Sequence, residues 1–453
     1  MKPPQSATFT KVQEGPDQVE TSTAIAETVI QDVGELLPQL PQTTTDQEMS
    51  ASAWLSVVGA FLFLFPSYGF IQSIGNIQSY LELNQLSAYT SRDVGWIVGV
   101  FTSLALLFGI QIGPLFDVYG PKILGPVGCA IYIPVFFVLA ECTKYWHFML
   151  VLGVWGGIGA AILSTVGVAI VGKLFIRRRG LAMGVALSGS TIGAIVMSLL
   201  LRDLFPKLGW TRSIRILAFI ISAVTIGGMF CLQQPLPRRE SLPGRHHRPM
   251  AVLDFRALKS GTFIFVTIGL SALEFAIFGV YSLLPAYASK AGLGTDVGFM
   301  LLAIVNATGT AGRCLPGLAG DFFGHFNVLL CMILCTAVLT AAILVPFGTS
   351  LAVLYTFSAL WGFGSGSFIS LAPVCMGKTC DTEEYGRYFG TMYFFVSFAL
   401  LLASPLGGQM LQTFGTQALA CLYVAVVVLG GVCFFLARQL LFGLRSFRLK
   451  VII

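Results

Sequence analysis

Two ionisable residues, Arg313 and Glu274, each fall inside a run of about twenty apolar residues. In hydrocarbon an ionised side chain costs roughly 2.5–3.5 kcal/mol on insertion scales, so a residue of this kind usually faces a cavity and has a task there. Arg313 follows Asn306 and Thr310 at i, i+4 and i+7, which puts the three on one helical face. A planar guanidinium binds a carboxylate through two parallel hydrogen bonds, so this face is expected to anchor an anion. The competing reading is a side chain that reaches the nearby membrane edge. Glu274 follows Thr267 and Ser271 with the same spacing, and Phe278 and Tyr281 continue the face. Its carboxyl is a candidate proton carrier. The rival readings are a static partner for Arg313 or a structural carboxyl. Segment ends read from the sequence set the two charges about 10 Å or more apart along the membrane normal, so a direct pair is not expected.

Helical spacing marks further polar stripes: Tyr68, Gln72 and Asn76; Ser358, Gly362 and Ser365; Tyr393 and Ser397. Tyr68, Gln72, Asn76, Ser365 and Tyr393 join Arg313, Asn306 and Thr310 as candidate contacts for a bound solute. The same spacing also serves to glue helices together. Nothing in the chain points to an enzyme. It has no Ser/His/acid set, no paired carboxylates in one segment and no metal cluster. Cys331 and Cys335 lie one turn apart without a neighbouring ligand, and the ten cysteines read as packing. The His246–His247 pair reads as solvated linker. The glycines from Gly153 to Gly159 lack the strand and lysine of a phosphate loop. No cofactor is expected.

The elements that must position these residues follow from composition. Of 453 residues 55% are hydrophobic and 11% charged, and mean hydropathy is +0.82. A soluble domain carries about 25% charged residues, so the solvent for this chain is lipid. Residues 1–50 hold two lysines and eight acids, which leaves the remainder strongly basic. In so apolar a chain this indicates charge sorted across a bilayer, and no nucleic acid is expected. Apolar segments long enough to span about 30 Å lie near 54–75, 94–115, 123–140, 146–171, 181–201, 213–232, 261–284, 296–318, 327–346, 350–376, 387–409 and 415–437. The expected organisation is a disordered cytoplasmic tail over 1–50, a six-helix bundle over 51–232, a cytoplasmic linker over 233–260, a second bundle over 261–437 and a cytoplasmic tail over 438–453. With both termini inside, 19 of the 27 lysines and arginines fall on the inner side and 7 on the outer, with Arg313 in the membrane. The positive-inside rule supports this orientation.

An internal repeat links the halves. Gly113-Pro-Leu-Phe-Asp117-Val-Tyr-Gly120 follows the second segment, and Gly317-Leu-Ala-Gly-Asp321-Phe-Phe-Gly324 follows the eighth. Both read Gly-x3-Asp-x2-Gly, 204 residues apart, at equivalent places in a two-by-six layout, which indicates duplication. Asp117, Gly120, Lys122, Asp321, Gly324 and the run Arg177-Arg178-Arg179 are candidate gating residues at the inner edge. There an acid can pair with a cation or helix N-terminus in one conformation only. The alternative is a plain tight turn.

This arrangement resembles the major facilitator superfamily, in which two six-helix bundles rock about a central site. The stretch from Lys173 through Arg177–Arg179, Gly180 and Gly184 to Ser188-Gly189-Ser190 is similar to a signature of the monocarboxylate porter family. So are Ala311-Gly312-Arg313 with Pro316-Gly317, and Pro405-Leu-Gly407-Gly408. The helix 1 stretch Phe65-Pro66-Ser67-Tyr68-Gly69-Phe70 and Gly95-Trp96-Ile97 look like the fungal branch. The resemblance covers about 52–437. It implies an all-α, polytopic, twelve-helix secondary transporter moving a small organic anion by alternating access, with a proton as candidate coupling ion. Animal members carry a Lys where this chain has Ser67 and an Asp where it has Gly309, so the resemblance does not extend to the two residues that serve proton and anion binding in those members. Export of a fungal metabolite is the alternative, and a transporter-like nutrient sensor the second. The expected partners are the solute and the lipid bilayer. The plasma membrane is the first expectation for location, the vacuolar membrane the second.

Overall fold

The computed structural model describes residues 50–175, 179–232, 257–379 and 385–442. The expectations for the N-terminal tail, most of the linker and of the C-terminal tail, and for Arg177 and Arg178, lie outside the described residues. So do those for the side chains of Asp117, Arg179 and Asp321.

Every regular element among the described residues is helical. In chain order they are α1 (Ala51–Leu83), α2 (Ser91–Leu107), α3 (Gly109–Tyr119), α4 (Pro121–Leu139), α5 (Tyr145–Phe148), α6 (Gly157–Leu174), α7 (Arg179–Cys231), α8 (Gly261–Lys290), α9 (Thr295–Phe323), α10 (His325–Leu339), α11 (Val345–Phe347), α12 (Leu351–Gly377) and α13 (Tyr385–Phe442). Short π-helical stretches join α5 to α6 and α10 to α11. Helix is what lipid demands, because each backbone polar group must be satisfied within its own segment. Hydroxyls obey the same rule: Ser67 Oγ donates to the Phe63 carbonyl at 2.7 Å and Thr102 Oγ1 to the Val98 carbonyl at 3.0 Å.

Ten of the helical stretches are long and apolar enough to cross a membrane. Two of them, α7 and α13, run to 53 and 58 residues. At 1.5 Å per residue they would be about 80 and 87 Å long, far beyond the ~30 Å hydrocarbon core. Each is broken at one glycine, Gly209 (φ +68°, ψ −172°) and Gly415 (φ +87°, ψ −175°). The stretch 202–212, which separates two of the apolar segments expected from the sequence, is therefore helical except at Gly209. Charges at a helix end are solvated in the headgroup layer and need no unwinding.

Gly209 and Gly415 stand 206 residues apart, almost the spacing of the Asp motifs. The Asp motifs end alike as well. Gly120 (φ +69°) donates its N–H to the Phe116 carbonyl, and Gly324 (φ +87°) to the Gly320 carbonyl, both at 2.9 Å. The duplication therefore marks two pairs of turns. The backbone angles at Gly209 are nearly exclusive to glycine, and another residue there costs about 1–3 kcal/mol. Gly209→Ala is expected to lower the melting temperature of the detergent-purified protein; an unchanged melting temperature would count against this turn geometry.

Buried apolar side chains form two cores, one drawn from residues between Ala53 and Leu232, the other from residues between Ala257 and Ala437. Phe278 packs against both. The halves meet where side chains are absent. A Cβ on Gly75 of α1 would strike the backbone of Tyr281 and Ser282 in α8, and one on Gly99 of α2 the backbone of Leu401 in α13.

Candidate solute-binding site between the halves

Arg313 lies on α9, which runs to Phe323, five residues beyond the end expected from the sequence. Counted from the first residue of α8 and the last of α9, Glu274 and Arg313 differ in height by three residues, about 4.5 Å. The sequence-based separation of 10 Å or more came from ending the helix too early. Glycines at 317 and 320 weaken a helix in water, yet in lipid the alternative is an unpaired backbone.

The guanidinium does not run to the membrane edge. Its Nη1 donates to Ser190 Oγ on α7 at 3.1 Å and its Nη2 to Gln72 Oε1 on α1 at 3.3 Å. Gln72 Nε2 donates in turn to Ser190 Oγ at 3.2 Å. The result is a closed ring of three side chains that joins the second half to the first. Both partners are neutral. Among the described residues, the buried Arg313 Nε has no hydrogen-bond partner and no carboxylate lies within ion-pair distance of this arginine. A cation held by neutral groups, with donor capacity to spare, is suited to an anionic ligand.

Glu274, 3% exposed, and Tyr281 of the same helix both lie within electrostatic reach of Arg313. The Tyr281 hydroxyl interacts with Arg313 and with Ser365 on α12. Tyr68 on α1 interacts with Ser164 and is within reach of Glu274. Tyr68, Gln72, Glu274, Arg313 and Ser365, named from four separate segments, thus belong to one polar cluster at the boundary of the two halves.

Other expected contacts are arranged differently. Thr310 Oγ1 donates to the Asn306 carbonyl at 3.1 Å, and Asn306 Nδ2 to the Leu302 carbonyl at 2.9 Å, so neither flanks the guanidinium with its donor. In an apolar surround the nearest acceptor is the preceding turn of the same helix. Thr267 and Ser271 behave alike. The buried Oδ1 atoms of Asn306 and Asn76 have no partner among the described residues, while Asn76 Nδ2 donates to Ser198 at 2.9 Å. Tyr393 packs on Phe389 of its own helix, ring centres 4.5 Å apart. The positions where animal monocarboxylate porters carry charge point elsewhere: Ser67 bonds to its own helix, and a Cβ on Gly309 would face the Gly362 carbonyl of α12. In the sequence Ser190 stands out only as the end of the Ser188-Gly189-Ser190 stretch. Spacing does not single it out, because its role depends on which helix faces α9.

Of the gating candidates, Gly120 and Gly324 form the turns described above and Lys122 is exposed. Beside the first motif, Lys173 Nζ lies 5.0 Å from the centre of the Phe116 ring.

The sequence profile of the Major Facilitator Superfamily matches residues 49–316 and 311–442. The chain is 31% identical over 415 residues to the riboflavin transporter MCH5 of Saccharomyces cerevisiae, covering 87% of this chain and 80% of that protein. It is 32% identical over 393 residues to the agnestins efflux protein AgnL12 of Paecilomyces divaricatus, covering 86% and 88%. It is 29% identical over 418 residues to the aspyridones efflux protein apdF of Emericella nidulans, covering 90% and 83%. A crystal structure of the nucleoside transporter NupG superposes with a TM-score of 0.65 at 13% identity, over 85% of this chain and 99% of that one, a likeness of fold.

Proposed function

The chain belongs to the Major Facilitator Superfamily and is a multi-pass membrane transporter, and from that membership we propose that it moves an acidic organic metabolite held by Arg313 between its two halves. The observation that carries this reading is the ring of Arg313, Gln72 and Ser190, a guanidinium shared between the halves, bonded among the described residues to neutral groups and with a donor to spare. Such a site discriminates between two conformations, because separating the halves remakes its contacts, and alternating access requires a site of that kind.

Counting each arm of α7 and α13 as one span brings the total to twelve, six per half. Both termini face the cytoplasm, the orientation favoured by the lysine and arginine balance, and the plasma membrane is the location we favour. Glu274 carries the coupling proton. The two Asp motifs, with the basic residues from Arg177 to Arg179 and Lys122, close the inner end. The relatives weigh on direction and size: two are named for efflux of fungal products and one for riboflavin transport. They support export of a metabolite larger than lactate over uptake of a simple monocarboxylate.

The test is transport of a labelled panel of organic acids, from monocarboxylates to larger aromatic acids, in liposomes holding the pure protein, with and without an acid gradient. At least one acid is expected to move faster than in empty liposomes and to respond to the gradient. No movement of any acid would contradict the proposal.

A further inference from the structure

A second polar contact between the halves lies near the end of the bundle that carries Leu83 and Ser91, away from Arg313. Ser404 on α13 donates to Gln78 Oε1 on α1 at 2.9 Å. Gln78 Nε2 donates to Glu82 Oε1 at 2.9 Å, and Ser91 Oγ at the start of α2 donates to the same carboxyl oxygen at 2.7 Å. Gln78, Ser91 and Ser404 are all buried. Only one of these three bonds, Ser404 to Gln78, crosses between the halves. The other two decide which way the Gln78 amide points. With its nitrogen committed to Glu82, its oxygen is left to accept from Ser404.

The surrounding backbone is shaped for this contact. A Cβ on Gly95 of α2 would meet the backbone of Ser404 and Pro405, and one on Gly408 of α13 the backbone of Ser91. Helices α2 and α13 therefore cross with almost nothing between them, and Ser404 is brought up to Gln78. Polar bonds within one half would serve as permanent glue. This one spans the surface that must part for a solute to pass.

We propose that Ser404, Gln78 and Glu82 form a clasp that holds this end of the transporter shut, with Glu82 acting as a positioning residue that aims the Gln78 amide at Ser404. The clasp does not depend on what Arg313 binds. Opening the end breaks the Ser404–Gln78 bond and exposes Ser282, which is now buried and whose backbone lies where a Cβ on Gly75 would fall.

The test uses the full chain in detergent, with Ser282→Cys as reporter and maleimide labelling of that peptide followed by mass spectrometry. Losing one net hydrogen bond shifts an equilibrium by about fivefold. Ser404→Ala and Gln78→Leu are each expected to raise the labelling rate about fivefold over the reporter alone, and Glu82→Leu to do the same. Glu82→Gln keeps an acceptor oxygen for the Gln78 amide and is expected to label near the reporter rate, an outcome that general loosening would not produce. Unchanged labelling in Ser404→Ala and Gln78→Leu would overturn the clasp. Equal acceleration by Glu82→Gln and Glu82→Leu would overturn the positioning role. Anion binding by Arg313 in the Ser404→Ala protein is read separately, so failure of the clasp and failure of the solute site remain distinct results.

Discussion

Arg313→Lys is expected to weaken binding of the transported acid by roughly ten- to a hundredfold while leaving the protein folded. The lysine keeps the positive charge, so long-range attraction survives. What it loses is the planar fork that reaches Ser190 and Gln72 with two nitrogens and leaves Nε for a ligand. A hydrogen bond to a charged group is worth about 1.5–3 kcal/mol, and each 1.4 kcal/mol is a factor of ten in affinity. The Gln72–Ser190 bond does not involve position 313 and should persist. Titration calorimetry on the purified protein measures the effect, and undiminished affinity would count against the anchor.

Glu274→Gln is expected to reduce gradient-driven transport to the rate seen without a gradient, while exchange of solute for solute continues. Glutamine matches the carboxylate in shape and cannot take up or release a proton. The residue is positioned for this role: almost fully buried on α8, within electrostatic reach of Arg313 and with Tyr68 nearby. An acidic solute arriving at Arg313 would alter the field that Glu274 feels, and protonation of Glu274 would alter the attraction between Arg313 and the solute. That reciprocal effect is a coupling free energy between two sites. Parallel rates of gradient-driven transport and exchange, measured across a pH series, decide the matter. An unchanged response to the gradient would remove Glu274 from the mechanism.

How far these residues could be read without coordinates depends on what each one needs. Periodicity placed Arg313, Gln72, Glu274 and Tyr281 on helical faces, because a face depends only on the 3.6-residue repeat. It could not say which face meets which. Gln72 and Arg313 are 241 residues apart, and Ser190 and Arg313 are 123 apart. Thr310 shares the predicted face and yet turns its hydroxyl to its own helix, a choice set by local competition for acceptors. The Asp motifs announced the duplication because three residues agree at two spacings, at equivalent places in the two halves. The pair Gly209 and Gly415 did not, because little but the glycine is shared and only the backbone angles reveal the equivalence. The clasp escaped notice for a similar reason: Gln78 and Glu82 are ordinary residues at the end of an apolar segment, and their meaning arises from Ser404, which lies 326 residues beyond Gln78.

In the proposed mechanism the buried guanidinium selects an anion and carries it across. The most direct measurement compares transport of one acid and its uncharged amide in liposomes holding either the native protein or Arg313→Lys. The native protein is expected to carry the acid in strong preference to the amide, and the variant to lose most of that preference. A native protein that moves both equally, or a variant that discriminates as well as the native protein, would contradict the account.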